Sequence, residues 1–325
     1  MDASGSPENL PAASGSRKER PGAHWKVVAD WAKARPWALA AADRLGRSRG
    51  RLAVVDRLMP PPPAPLTPDL SGWNAAELAA VWIGHATILL RIGGQTVLTD
   101  PVFAHRIGLG LGLITAGPRR RFAPAVDLRK LPPIDLILMS HAHFDHLDRP
   151  TLARLPKKTP IVTAPHTRDL LKDLGYASIT ELRWKESTDI GPLRITAEPV
   201  RHWGARTFHD AHRGYNAYQI ESRTGPGRRV FFGGDSAHQE LWRDLPRADL
   251  AIVGIGGYRP HIGGHANPEQ AWEMIEHLKP DAVIPMHHST FKLSHEPWGE
   301  PMERLMAVAD ARRVVVDRVG GMWMG

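Results

Sequence analysis

Cysteine is missing from all 325 residues of this sequence. Disulfide bonds are therefore excluded, and no thiolate is available as a metal ligand. The absence also fits a reducing compartment, and we expect the protein to be cytoplasmic. Any metal site in this chain must therefore be built without cysteine.

Long apolar runs are missing as well. No stretch of about 18 apolar residues occurs, so we expect no transmembrane helix. Residues 1–7 lack a basic start and an apolar segment, and we therefore expect no secretory signal. Apolar residues nevertheless make up 42% of the chain, which is enough for a substantial hydrophobic core.

Positive charge is unevenly distributed along the chain, although the net charge is +8. Residues 1–58 contain 11 lysines and arginines against 6 acidic residues, so this part holds most of the excess. Residues 1–23 are rich in Ser, Gly, Pro and charge, which predicts a disordered tail. We interpret residues 24–72 as a basic arm that ends in a Pro-rich linker, and residues 73–325 as the folded domain.

The basic arm suggests a peripheral contact with an anionic membrane surface. Its tryptophans, Trp25, Trp31 and Trp37, are six residues apart, a spacing that does not keep one face of a helix. Packing against the folded domain, or a solvated tail, is the alternative for this segment.

A dense group of metal-binding side chains follows an apolar run. Residues 140–146 read Ser-His-Ala-His-Phe-Asp-His. Residues two apart in an extended chain point the same way, so His141 and His143 can bind one ion together. Asp145 and His146 follow as the chain turns and can face a second ion. These donors suit zinc best, with manganese or iron as alternatives. The alternative to a metal site is a run of surface histidines that happens to follow a strand.

Three further apolar runs end in a donor side chain, and they can supply the remaining ligands. The first ends at His202, the second at Gly233-Gly234-Asp235, and the third at His287-His288. The α/β proteins place their chemistry at such strand ends. Each donor alone has a structural alternative, such as a turn at Asp235 after the two glycines. Together with the first group, they predict a two-metal site.

The pattern of apolar residues predicts hairpins first and then alternating strands and helices. Gly93-Gly94 predicts a two-residue hairpin turn, and Asn267-Pro268 predicts a helix start. This order indicates an α/β fold with two sheets flanked by helices. The predicted strands are 79–83, 87–92, 95–99, 134–139, 160–163, 179–183, 192–198, 215–222, 228–233, 249–254, 281–286 and 312–316, and the predicted helices are near 150–155, 167–174, 237–244, 268–278 and 300–309.

The ordered set of donors resembles that of the metallo-β-lactamase superfamily hydrolases. The chain is most similar to the N-acyl-phosphatidylethanolamine phospholipase D branch, over roughly residues 79–300. It departs from that branch at Phe144, where Tyr is usual, and at His288, where Trp is usual. The motifs that carry the resemblance are at residues 82–87, 99–103, 117–122, 141–146, 202–203, 231–235, 265–271 and 287–291.

The resemblance implies that the folded domain, which we place at residues 73–325, is a catalytic domain with a four-layer αββα sandwich and two zinc ions per chain. It implies hydrolysis through a hydroxide that bridges the metals. We predict Asp145, Asp235 and His265 as the catalytic residues. The resemblance assigns the metal ligands as His141, His143 and His202 for the first ion, Asp145, His146 and His287 for the second, and Asp235 as the bridge between them.

Other residues near these motifs have more than one interpretation. We expect Asp100 to orient the histidine loop, with a plain turn before Pro101 as the alternative. His85 and His265 could contact substrate or donate a proton, or could be structural. The run Arg119–Arg121 could bind a phosphate, although a solvated surface run is the simpler interpretation. His288 competes with His287 for the last ligand position.

The leading functional hypothesis is a dinuclear zinc hydrolase of a phosphodiester, including a phospholipid, with a small molecule or lipid as its substrate. The alternative is a lactonase or another hydrolase with the same metal centre. A nucleic-acid processor with this fold is a less favoured alternative. The spacing argues against its larger forms, because 55 residues separate His146 from His202 and 51 separate Asp235 from His287, which leaves no room for an inserted clamp domain. A non-catalytic metal-binding module is disfavoured because all seven ligand positions are filled.

Overall fold

The structure is a computed structural model that describes residues 60–111, 114–207 and 210–325. The tail predicted for residues 1–23 and the basic part of the arm lie outside these ranges, so their proposed roles stay predictions. None of the helices in the described ranges has the length and apolar character needed to cross a lipid bilayer.

The described residues form fifteen strands and three α-helices. The strands are β1 (Leu78–Gly84), β2 (Thr87–Ile92), β3 (Gln95–Thr99), β4 (Leu109–Leu111), β5 (Ile114–Ala116), β6 (Leu136–Met139), β7 (Ile161–Thr163), β8 (Ile179–Glu181), β9 (Ser187–Ile190), β10 (Leu193–Glu198), β11 (Ala217–Ser222), β12 (Arg229–Phe232), β13 (Leu250–Gly254), β14 (Ala282–Met286) and β15 (Met322–Met324). The helices are α1 (Arg149–Arg154), α2 (Pro268–Leu278) and α3 (Glu300–Met306).

Two mixed sheets hold most of these strands. The first sheet has the order β15-β1-β2-β3-β6-β7-β8, and the second has the order β14-β13-β12-β11-β10-β9. Strands β4 and β5 form a separate hairpin. The predicted hairpins at the start of the domain are confirmed, because β1, β2 and β3 pair antiparallel in succession.

The main hydrophobic core lies between the two sheets. Alternate residues of β1 point to opposite faces, so Leu78, Ala80 and Trp82 join the core between the sheets, where they meet residues of the second sheet such as Ile220. The outer face of β1 packs into a second core that includes Leu152 of α1. Burial on both faces explains why β1 is apolar along nearly its whole length.

The helices cover the outer faces of the sheets. Helix α2 packs against β13 in a third core, with Ala271, Met274 and Ile275 facing the sheet. Its predicted start is confirmed, since Asn267 and Gln270 form a reciprocal capping box ahead of the first turn. The layer order is therefore helix, sheet, sheet, helix, which confirms the predicted αββα architecture.

Some predicted elements are wrong. Residues 237–244 form bends and turns instead of a helix. The predicted strand 312–316 is reduced to one bridge between Val314 and Val283. The predicted helix at 167–174 is two short 3-10 turns. Strands β4, β5, β9 and β15 were not predicted, and each has only three or four residues.

Polar contacts join the two sheets at the end of β6. The Tyr218 hydroxyl of β11 donates a hydrogen bond to the Met139 carbonyl of β6 at 3.0 Å. The Asn216 backbone amide donates to the Ser140 carbonyl, also at 3.0 Å. Gly234 follows β12 with a φ of +53°, and a Cβ there would lie 2.8 Å from the Asn216 carbonyl oxygen and 2.9 Å from Ser140 Cβ, directly after β6. Glycine therefore lets the ends of β6 and β12 approach closely.

We expect Tyr218→Phe to lower the free energy of unfolding by about 1–2 kcal/mol, because a buried hydrogen bond between the sheets is lost. Urea denaturation followed by circular dichroism measures this change. An unchanged denaturation midpoint would show that the hydroxyl does not stabilise the contact between the sheets.

Candidate metal centre

The first group of candidate ligands combines the loop after β6 with two other strand ends. His141 Nε2 lies 2.9 Å from His143 Nδ1, and His202 Nε2, from the loop after β10, lies 3.3 Å from the same atom. Asp235, which follows β12, places its Oδ2 3.8 Å from His141 Nε2 and 3.6 Å from His202 Nε2. Three imidazoles and one carboxylate thus converge within reach of one ion.

A second group lies on the other side of the same carboxylate. His146 Nε2 and His287 Nε2 are each 3.2 Å from Asp235 Oδ2. Asp145 Oδ2 lies 3.4 Å from His287 Nε2 and 3.6 Å from His146 Nε2. The structure therefore brings together all seven of the predicted ligands, and Asp235 is the one that both groups share.

His85 belongs to the second group, a position that the sequence did not predict. Its Nε2 lies 2.9 Å from Asp145 Oδ2, and its ring centroid is 4.1 Å from that of His287. Only 1% of its surface is exposed. Of the alternatives from the sequence, this burial favours a structural role in which His85 orients Asp145.

His265 lies at the edge of the centre, next to both groups. Its Nδ1 is 3.8 Å from Asp235 Oδ2, and its ring stacks on that of His287 with centroids 5.1 Å apart. Its side chain is 10% exposed, against 1% for His85. Of these two histidines, His265 is the better placed to meet a substrate.

Hydrogen bonds behind the ligands fix the direction of the imidazole rings. Asp100 Oδ2 lies 2.7 Å from His146 Nδ1, and Asp100 Oδ1 accepts from the Ser140 backbone amide at 2.7 Å. His202 Nδ1 lies 2.8 Å from the Gly264 carbonyl oxygen. With Nδ1 engaged, Nε2 of His146 and of His202 is directed at the centre. Asp100 therefore occupies the orienting position that the sequence suggested.

Arg206 braces the histidine loop, and its sequence position gave no signal of this role. Its Nη1 donates to the carbonyl oxygens of Ala142 and Leu147, each at 2.8 Å. Its guanidinium lies 3.9 Å from the ring centroid of Phe144. One cation thus holds both ends of the loop that carries four of the ligands.

His288 turns away from the centre. Its ring packs on Trp82 with centroids 4.6 Å apart, and its Nδ1 lies 2.9 Å from Ser289 Oγ. His287, by contrast, has a φ of +63° and directs its Nε2 at Asp235. The left-handed backbone at His287 explains how two successive histidines face opposite sides.

Burial and charge set the protonation of the centre. Burial, reinforced by neighbouring imidazoles, holds the pKa of His141 well below its usual value. At His146, burial also acts to lower the pKa, but the carboxylates of Asp235, Asp145 and Asp100 outweigh it and raise the pKa well above 6.5. The pKa of Asp235 is held well below its usual range, because the surrounding imidazoles outweigh the effect of burial. The shared carboxylate is therefore ionised.

Buried polar atoms without a hydrogen-bond partner indicate whether these residues fit metal ions. In the part of the chain that the structure describes, buried His146 Nε2, His287 Nε2 and both carboxylate oxygens of Asp235 have no hydrogen-bond partner. Leaving such atoms unsatisfied is costly, so a cluster of them indicates a ligand that fills the space between them. Nitrogen and oxygen donors without sulfur fit zinc, and two groups around one carboxylate fit a pair of divalent ions.

Comparison with known proteins places this geometry in a family. The model of the beta-lactamase superfamily domain matches residues 95–288. An uncharacterized protein of Mycobacterium tuberculosis is 34% identical over 276 residues, covering 79% of this chain and 71% of that protein. The N-acyl-phosphatidylethanolamine-hydrolyzing phospholipase D 1 of Caenorhabditis elegans is 30% identical over 266 residues, covering 75% of this chain and 73% of the relative.

Solved structures agree on the fold. An isothiocyanate hydrolase from Delia radicum gut bacteria superimposes with a TM-score of 0.62 at 18% identity, covering 76% of this chain and 98% of that one. The metallo hydrolase Igni18 of Ignicoccus hospitalis gives a TM-score of 0.57 at 19% identity, covering 76% and 97% of the two chains. The strand-end clusters of histidine and aspartate, the four layers and the family match lead to one conclusion: this chain belongs to the beta-lactamase superfamily and is a metal-dependent hydrolase with the metallo-β-lactamase fold.

Proposed function

We propose that the protein is a dinuclear zinc hydrolase that cleaves a phosphodiester, including one in a phospholipid. The observation that carries the proposal is the position of Asp235, whose Oδ2 lies between 3.2 and 3.8 Å from imidazole nitrogens of both ligand groups. The first ion would be held by His141, His143 and His202, and the second by Asp145, His146 and His287, with Asp235 contributing to both.

The residues of the site have different proposed roles. Bound zinc ions would supply Lewis acidity and a water of lowered pKa. Asp235 and Asp145 provide the negative charge that such ions require, and the contact with His85 fixes the orientation of Asp145. His265, beside Asp235 at the edge of the centre, is the residue we assign to proton exchange with the leaving group.

The substrate class is supported by the relatives and by the chemistry of the site. Two relatives, from Caenorhabditis elegans and Saccharomyces cerevisiae, carry names of N-acyl-phosphatidylethanolamine-hydrolyzing phospholipases D. Two adjacent cations also suit displacement at phosphorus, because they can stabilise both the attacking and the leaving oxygen. A phosphodiester is therefore the substrate class we favour over a lactone.

We expect the purified protein to contain about two zinc ions per chain, as a two-metal site requires. Asp235→Asn should reduce this content and lower kcat more than about a hundredfold, because even outer-shell changes at metal sites cost 10–100-fold. Elemental analysis by mass spectrometry, beside the initial rate, gives both values. Active wild-type protein without transition metal would contradict the assignment of the site.

The two successive histidines at the end of β14 differ in their proposed roles, because His287 is a metal ligand and His288 is not. His287→Ala should abolish most of the activity and release one metal, because its Nε2 contacts both carboxylates of the second group. His288→Ala should keep both metals, because its ring packs on Trp82 outside the group. Metal content and rate of the two variants, compared side by side, check the assignment, and the reverse order would shift the ligand by one residue.

The reaction class is tested with three substrates for the metal-loaded enzyme. We expect turnover of a bis-aryl phosphodiester, slower turnover of a simple lactone and little or no cleavage of a β-lactam. Asp235→Asn is the control, because its residual rate on each substrate measures the turnover that does not depend on the metal centre. Lactone turnover far above phosphodiester turnover would assign the enzyme to the lactonases instead.

A further inference from the structure

The middle arginine of the run Arg119–Arg121 is buried inside the protein. Only 2% of Arg120 is exposed, so a solvated surface run, the simpler interpretation from the sequence, is wrong for this residue. Burial lowers the pKa of Arg120 to about 9, while the charge of Asp148 acts in the opposite direction. The guanidinium is therefore charged at neutral pH. Because burying a charge is costly, the contacts of this arginine should show which parts of the protein it holds in place.

The guanidinium binds the loop that carries Asp100. Its Nε donates to the Ala104 carbonyl oxygen at 3.2 Å, and its Nη2 donates to the Val102 carbonyl oxygen. The carboxylate of Asp100, at the start of this loop, contacts His146 Nδ1 at 2.7 Å. A guanidinium holds its donors in a rigid, planar fork, so these two hydrogen bonds fix the path of the loop directly after Asp100.

The same guanidinium packs against the segment that carries His85. Its Nη1 has no hydrogen-bond partner among the described residues, and it lies against Gly84. Gly84 has a φ of +140°, and a Cβ there would lie 2.8 Å from Nη1, so glycine allows this close approach. His85 follows directly, and its Nε2 lies 2.9 Å from Asp145 Oδ2. The arginine thus borders the backbone from which His85 reaches the second ligand group.

The segment that follows His287 contacts this arginine as well. Arg120 pairs with Phe291 in an antiparallel bridge, and its guanidinium lies 5.0 Å from the Phe291 ring centroid. The Phe291 ring centroid is in turn 5.3 Å from that of His85. Thr290 Oγ1 accepts a hydrogen bond from the His85 backbone amide at 2.7 Å. One buried side chain therefore contacts three segments that support the second ligand group.

We propose that Arg120 is a positioning residue for the second metal ion, because it fixes the three segments that hold and orient the ligands of that ion. The inference rests on the proposed function, since it requires two bound metals, and it adds a residue that touches neither metal nor substrate. His202 of the first group is oriented instead by the Gly264 carbonyl oxygen. Loss of the arginine should therefore weaken the second ion more than the first.

Stepwise metal binding tests the proposal. Full-length wild-type protein and its variants are stripped of metal and titrated with zinc against a chelator, which gives one affinity for each ion. Arg120→Met removes the hydrogen bonds and the charge, whereas Arg120→Lys keeps the charge without the fork. The matched control is Arg313→Met, because Arg313 Nε also donates to a backbone carbonyl oxygen, that of Pro280, at 3.0 Å. Pro280 precedes β14, whereas His287 follows the other end of that strand.

We expect Arg120→Met to weaken binding of the second ion by about 10- to 100-fold, as loss of residues that orient metal ligands does, and to leave the affinity of the first ion unchanged. Arg120→Lys should lose less, because an ammonium can still bond one of the two carbonyl oxygens. Arg313→Met should keep both affinities. Equal loss of both affinities in Arg120→Met, as a general structural role predicts, or no loss at all, would overturn the proposal.

Cobalt shows which ion is affected, because its visible spectrum depends on the ligands around it. At a cobalt concentration that just fills both wild-type sites, Arg120→Met should give the spectrum of His287→Ala, which keeps the first group. The spectrum of His202→Ala, which keeps the second group, would overturn the proposal. If Arg120→Met does not fold, Arg120→Lys takes its place: a selective loss at the second ion supports the proposal, and two unchanged affinities overturn it.

Failure of the proposed function gives a different result, because turnover is measured separately from metal binding. A wild-type protein that binds two ions but cleaves no bis-aryl phosphodiester contradicts the proposed reaction, while its two affinities still test the role of Arg120. A wild-type protein that binds a single ion overturns both proposals.

Discussion

A single buried carboxylate, that of Asp235, organises the candidate metal centre. Imidazole nitrogens of five histidines lie within 3.8 Å of its Oδ2. An isolated carboxylate in such a position would be very costly to bury, and this many imidazoles cannot all be protonated around it. Divalent cations between the carboxylate and the imidazoles would resolve both problems, because they would bind the ionised acid and the neutral rings together. The backbone at Gly233 and Gly234 makes this arrangement possible, since it brings Asp235 close to the end of β6.

The ligands could be predicted from sequence because each lies at the end of an apolar strand. His141, His202, Asp235 and His287 follow β6, β10, β12 and β14, and strand ends of an α/β fold meet at one edge. The long, strongly apolar strands were also predictable, because a run of apolar residues marks each of them in the sequence. The short elements β4, β5, β9 and β15 were not, because three or four residues are too few for a period to show.

Contacts that depend on tertiary structure could not be predicted from the sequence. Arg206 is one arginine among many, and its two bonds to the histidine loop become visible only when residues 202–207 are folded over that loop. His85 had a recognised motif but no predicted partner, and its partner Asp145 lies 60 residues away. The contacts of Arg120 likewise join distant segments. Side-chain direction in such contacts is decided by packing, which local patterns do not record.

Because the ligands come from both sheets, metal binding should stabilise the whole domain. His141 and His146 come from the loop after β6 of the first sheet, whereas Asp235 and His287 follow strands of the second. Ions bound between them would act as a cross-link over the open edge of the sandwich. Binding energy that is available only when both sheets are in place adds to the folding free energy. The resistance of this protein to unfolding should then rise with the free metal concentration around it, so that metal supply controls its lifetime as well as its chemistry.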